Sequence, residues 1–276
     1  MESLKLWWNS LPYLHPEVLP PSTPFTAPGA SSSPLPILYV YPAQKHHITS
    51  IDVECVRIQA FLSFYGFNHA VRETCNPEMS PSGQLPFLVT LDNRVLAGRQ
   101  IVDEVAKNFP ELHVKPDLDT MAFSSLADSR LKLALTHSLW YDIKIAEKLL
   151  HCRFSQLAWP LGPVVLRIKR SEELAWMLNR KPVLYRDEIY REAEQALSAL
   201  SVKLGQHSYF GGVRPSYLDA TVFAYLHIIL SLLAGSDETE LRKLVLRHEN
   251  LVQYAKRIWS TWFATTPKRN ETSGDA

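Results

Sequence analysis

Met79-Ser80-Pro81-Ser82-Gly83-Gln84-Leu85-Pro86-Phe87-Leu88 is the stretch whose reading decides the fold. It opens with turn chemistry: Pro81 fixes one backbone dihedral and Gly83 takes a positive φ at no steric cost. It closes on Leu85-Pro86, followed at once by the apolar run Phe87 to Leu91. A proline cannot donate to a central sheet ladder, so Pro86 is expected at the first residue of a strand. An X-Pro bond in a tight turn ahead of a strand is also a candidate for the cis isomer.

Working outward, Ile37 to Tyr41 is a β-branched and aromatic strand ended by Pro42. Thr49-x-x-Asp52 reads as a capping box for a helix in which Ile51, Cys55, Ile58, Leu62 and Tyr65 recur at helical spacing; Gly66 ends it. A short strand from His69 to Thr74 leads into the central turn. Phe87 to Leu91 and Val95-Leu96 flank Asp92-Asn93 and predict a hairpin. Ile101 to Phe109 is a closing helix. The order β-α-β-turn-β-β-α resembles a thioredoxin-like half-domain. In such folds the backbone before the turn proline pairs with an extended peptide, usually glutathione. That makes Gln84, Leu85 and Pro86 candidate contacts for a peptide or strand.

Downstream no strand pattern recurs. Met121 to Leu150 reads as a long helical stretch, which Pro160 and Pro163 separate from Val164 to Leu178. Arg186 to Leu204 carries Ile189, Ala193, Ala196, Leu197, Leu200 and Leu204 on one face. Ser216 and Asp219 form a second capping box for Ala220 to Leu233, which is apolar nearly all round and so belongs at the centre of a bundle. Arg167-Lys169-Arg170 reads as a solvated face. A last amphipathic helix holds Leu251, Tyr254, Ile258, Trp259, Trp262 and Phe263. The expected divisions are a proline-rich arm (1–36), a thioredoxin-like domain (37–111), an all-helical domain (119–265) and a polar tail (266–276).

Composition narrows the function. A net charge of +1 over 276 residues gives no basic surface for nucleic acid. Three cysteines, Cys55, Cys75 and Cys152, form neither a disulfide framework nor a CxxC pair, so a reducing setting is expected. His46-His47 lack partners at ligand spacing, so neither a metal nor a cofactor is expected. Leu218 to Ala234 is interrupted by Asp219 and His227, short of the roughly 18 apolar residues a spanning helix needs. Eight of the nineteen prolines lie in the first 36 residues, yet Trp7 and Trp8 are too apolar for a solvated tail. With Trp159 and Leu161, in an unusually apolar connection, they are candidate contacts to a partner or membrane. Trp262 and Phe263 are candidates as well, since large aromatics dominate interface hot spots.

The central stretch, Tyr209-Phe210, Leu218-Asp219-Ala220-Thr221-Val222-Phe223-Ala224-Tyr225-Leu226 and the terminal Asn250 to Phe263 helix together resemble the metaxin family, in particular its smaller, tail-less type. The resemblance covers roughly residues 37–265. It implies a glutathione-transferase-like fold and no catalytic residues. It further implies a peripheral protein on the cytosolic face of the mitochondrial outer membrane, acting in the sorting and assembly machinery. The implied partners are a β-barrel channel subunit, a second, larger metaxin-like chain, and incoming β-barrel precursors. A working glutathione transferase is the alternative. Ser50 or Tyr41 would then activate the thiol, but Gly98-Arg99-Gln100 stands where a carboxylate and a serine are needed to hold the γ-glutamyl group.

Overall fold

A computed structural model describes residues 35–43, 49–109, 118–141, 161–233 and 239–264. The N-terminal half is built on a four-stranded sheet of order β2-β1-β3-β4. Strand β1 (Ile37–Val40) is followed by helix α1 (Val53–Phe64) and strand β2 (Ala70–Glu73). β2 lies parallel to β1, with Ile37 opposite Ala70. A parallel pair needs a crossover connection, and α1 supplies it. The central turn follows, with a one-turn 3₁₀ helix at Pro77–Met79. The Leu85–Pro86 bond is cis, and Phe87 immediately opens β3 (Phe87–Val89). β3 pairs antiparallel with β1, setting Tyr39 against Phe87; their rings stack at 4.6 Å. β4 (Val95–Ala97) returns through a turn in which Asn93 takes a φ of 59°. Helix α2 (Arg99–Asn108) closes the half.

The cap of α1 departs from the expected box. Asp52, not Thr49, is the N-cap, and its carboxylate accepts from the amides of Glu54 at 3.0 Å and Cys55 at 3.2 Å. A carboxylate at the N-cap reaches the amides two and three residues on. Thr49 lies three residues too early, and its hydroxyl instead meets Nε2 of His227 at 2.8 Å, across the junction of the two halves.

The second half is helical. Helix α3 (Leu118–Leu126) runs through a π-helical turn (Ala127–Leu131) into α4 (Lys132–Trp140). Helix α5 (Leu161–Arg180) begins before Pro163. It starts three residues earlier than expected and takes in the proline, because the first-turn amides have no helical acceptor and a missing N–H there removes no bond. The basic cluster on α5 is not wholly solvated either. Arg170 donates to the carbonyls of Trp140 at 2.9 Å and Tyr141 at 3.1 Å, closing the exposed end of α4.

Helix α6 (Arg186–Leu204) buries Ile189, Ala193, Leu197 and Leu200. Helix α7 (Tyr217–Leu232) is buried along most of its length and touches α1, α3, α8 (Glu240–Arg247) and α9 (Glu249–Ile258). The terminal helix expected from Asn250 to Phe263 is α9 running into a π-helical turn (Trp259–Phe263), and α8, which ends at its C-cap His248, precedes it as a further short helix.

Candidate functional site: the cleft between the halves

Asp219 fixes the start of α7 and is fully buried. One carboxylate oxygen accepts from the amide of Phe210 at 2.8 Å and the hydroxyl of Tyr254 at 2.9 Å. The other accepts from both the amide and the hydroxyl of Ser216 at 2.8 Å, while the Ser216 oxygen accepts from the Asp219 amide. Burial pushes this carboxyl up, and the four donors pull it back. A group so saturated is an anchor for the helix and the loop before it.

With α7 anchored, α1 packs along it and is pinned by charge. Arg57, 5% exposed, reaches Asp128 in the π-helical turn and lies 3.4 Å from Glu54. Tyr225 of α7 donates to the same Asp128 carboxylate at 2.9 Å. The Arg57 guanidinium also lies 6.0 Å and 5.8 Å from the Tyr217 and Tyr225 ring centroids. Burial works against the guanidinium charge, but Glu54, Tyr217 and Asp128 outweigh it and hold its pKa above the ordinary value. The π-helical turn displaces the helix by one residue, and Asp128 lies within that extra turn. Sequence reading missed this lock because its partners are 71 and 97 residues apart.

Between the locked halves lies a cleft of about 340 Å³. Its first wall is Tyr41, the Asp52–Glu54 helix start and the Gly83-Gln84-Leu85 loop. Its second wall comes from α4 and α5, where Leu135, Leu139 and Trp140 give an apolar floor and Lys132, Lys169 and Glu172 a mixed-charge rim. Of the expected peptide contacts, Gln84 and Leu85 line this cleft, and Pro86 follows directly. The Leu85 side chain is buried. Among the described residues no hydrogen bond reaches its main chain.

The two hydroxyls weighed for thiol activation separate. Tyr41 lines the cleft. Ser50 is buried, its oxygen accepts from the Asp52 amide at 3.3 Å, and it faces a different void of about 10 Å³, room for one water. At the head of α2, Gly98 provides no side-chain cap. Gln100 turns back to accept from the Ala97 amide at 3.2 Å, and Arg99 is 87% exposed beside Asp103. Neither position 99 nor position 100 carries a carboxylate or a hydroxyl.

Trp7, Trp8 and Trp159 lie outside the described residues, and Leu161 is placed at the first position of α5. Trp262 is half-buried, edge-on to Phe64 of α1 at 5.5 Å. Phe263 corrects the expectation of a partner contact. It is 5% exposed and stacks on Phe223 and Trp259, each at 5.5 Å, because the π-helical turn swings it inward. His227 lies against the same cluster, 4.8 Å from Trp259 and 5.4 Å from Phe223. Among the described residues no group of three or more histidine, cysteine, aspartate or glutamate side chains is placed to hold a metal. No described helix is long and apolar enough to cross a membrane.

Fold and cleft define a protein of the glutathione-transferase fold, a thioredoxin-like half joined to an all-helical half. A glutathione transferase from Phanerochaete chrysosporium superposes with a TM-score of 0.59 at 16% identity, over 82% of this chain and 97% of that one. A glutathione-bound transferase of Ceriporiopsis subvermispora gives 0.52 at 15% identity, over 79% and 98%. Residues 193–258 match the model for the C-terminal domain of glutathione S-transferases, and residues 55–170 the model described as an outer mitochondrial membrane transport complex protein.

Metaxin-1 of Homo sapiens is 30% identical over 82% of this chain, which spans about half (52%) of that relative's length. Metaxin-1 of Mus musculus is 29% identical over 78% of this chain and 72% of its own length. Metaxin-2 of Homo sapiens is 26% identical over 87% of this chain and 94% of its own length. Over most of its length the chain is similar to the metaxins.

Proposed function

We propose that this chain is a non-enzymatic, peripheral subunit of the sorting and assembly complex of the mitochondrial outer membrane. On this reading it sits on the cytosolic face and supports recognition, folding and insertion of β-barrel precursors. Its partners are the β-barrel channel subunit and a second, larger metaxin-like chain. The likeness to the metaxins and the match of residues 55–170 to the outer mitochondrial membrane model support the setting.

The observation that carries the non-enzymatic part is the head of α2. A transferase must hold the charged γ-glutamyl end of its substrate there, and Gly98-Arg99-Gln100 offers an exposed cation and an amide already bonded to the backbone. The guanidinium repels the ligand's ammonium. The cleft itself favours an extended segment. The Gly83-Gln84-Leu85 loop lines its wall, strand addition to the main chain of that loop supplies affinity, and the flanking apolar floor takes alternate side chains.

The alternative, conjugation of glutathione to electrophiles, draws on the fold and on Tyr41 in the cleft. Calorimetric titration of the purified chain with glutathione separates the two. No heat of binding up to millimolar ligand is expected. Micromolar binding that Tyr41→Phe abolishes would restore the enzyme.

A further inference from the structure

Helix α5 has two apolar sides. Met177 is fully buried, and Leu174 and Trp176 pack against the core. On the side turned away from Met177, with Leu174 at its edge, Val164, Ile168 and Leu178 are 42%, 47% and 48% exposed, and the small residues between them, Ser171 and Ala175, are exposed too. The five positions 164, 168, 171, 175 and 178 are separated by four, three, four and three residues. That alternation is the seam by which one helix pairs along another, and a surface helix that packs only on its own core has no use for it.

We propose that α5 pairs in parallel, across a two-fold axis, with α5 of a second copy of this chain. The charges flanking the seam select that occupant. Arg167 stands on one flank and Glu172 on the other, both exposed, with Glu172 also paired to Lys169 of its own helix at 2.7 Å. In a parallel pair a residue on the first flank faces the residue five positions further along on the second flank of the partner helix. Arg167 therefore faces Glu172 of the second copy, and symmetry repeats the pair. An antiparallel pair sets like flanks together and brings no such opposite charges into contact. Each helix supplies both halves of the match, as an isologous interface requires. Ser171 and Ala175 at the centre allow the two backbones close approach.

The seam spans 15 residues, about 21 Å of helix. That is short of what a standard interface of roughly 1,600 Å² needs, so the association is weak, on the order of tens of micromolar.

Sedimentation equilibrium on the full chain tests it. The weight-average mass should climb towards twice the monomer as concentration approaches about 100 µM. Ile168→Glu should hold the chain monomeric with its Tm unchanged. Arg167→Glu should weaken association roughly tenfold, and adding Glu172→Arg should restore it. Ser171→Cys should give a covalent dimer under mild oxidation that the unsubstituted chain does not. A mass that stays monomeric throughout overturns the proposal, as does a dimer indifferent to Ile168→Glu. A fall in Tm for Ile168→Glu also overturns it, because this face would then be covered by the chain itself.

Discussion

Asp219 and Asp128 show how much two carboxylates decide. Asp219 is fully buried under four donors. Asp219→Ala leaves Ser216 as the N-cap of α7 but removes the reciprocal half of the capping box and takes the acceptor from the amides of Phe210 and Ser216. The lost half of the box is worth about 1 kcal/mol and each unpaired buried donor about 1–3 kcal/mol. A loss of about 4 kcal/mol is expected in urea unfolding, a large share of the roughly 5–15 kcal/mol that stabilises an ordinary domain. Asp219→Asn keeps the shape and should lose less. At Asp128 the asymmetry runs through its partner. Asp128 is 40% exposed while Arg57 is 5% exposed. Asp128→Ala leaves a buried cation with Glu54 alone, and should cost about 2–3 kcal/mol. Arg57→Met removes the buried charge itself and should cost less, even though it deletes the same ion pair. Equal losses in the two variants would mean that the pair, not the orphaned cation, sets the energy.

At the scale of elements, the loop before β3 carries the mechanism proposed for the cleft. A photo-crosslinker at Gln84 or Leu85 should label a stalled β-barrel precursor, and should stop doing so when the precursor's terminal strand is altered. Labelling of resident subunits alone, with precursor shown to be bound, would leave the chain a scaffold. Elements whose signal is local were legible in the sequence. The strand at Ile37, the hairpin about Asp92-Asn93 and the all-apolar helix behind Ser216 each follow from neighbours a few residues apart. Pairings across the chain were not legible. Nothing near Thr49 indicates His227, and nothing near Arg57 indicates Asp128. The π-helical turns at Ala127–Leu131 and Trp259–Phe263 shift the helical face by one residue. A count at 3.6 residues per turn therefore sets Phe263 outward when its ring is inside. The Lys132, Lys169 and Glu172 rim was missed for a related reason: charges on separate helices have no shared period.

For the whole molecule, the two halves act as one frame. The Arg57–Asp128–Tyr225 lock, the Thr49–His227 bond and the Phe64–Trp262 contact all cross the junction. The frame encloses a cleft between the halves, and the head of α2 beside it carries Gly98, Arg99 and Gln100. On the proposed reading such a frame is held at the mitochondrial outer membrane by protein partners. The most direct measurement is purification of the tagged full chain from mitochondria in mild detergent, with its companions identified by mass spectrometry. The β-barrel channel subunit and a second metaxin-like chain are expected in near-equal amounts. Recovery of the chain without either, from mitochondria in which both are intact, would contradict the account.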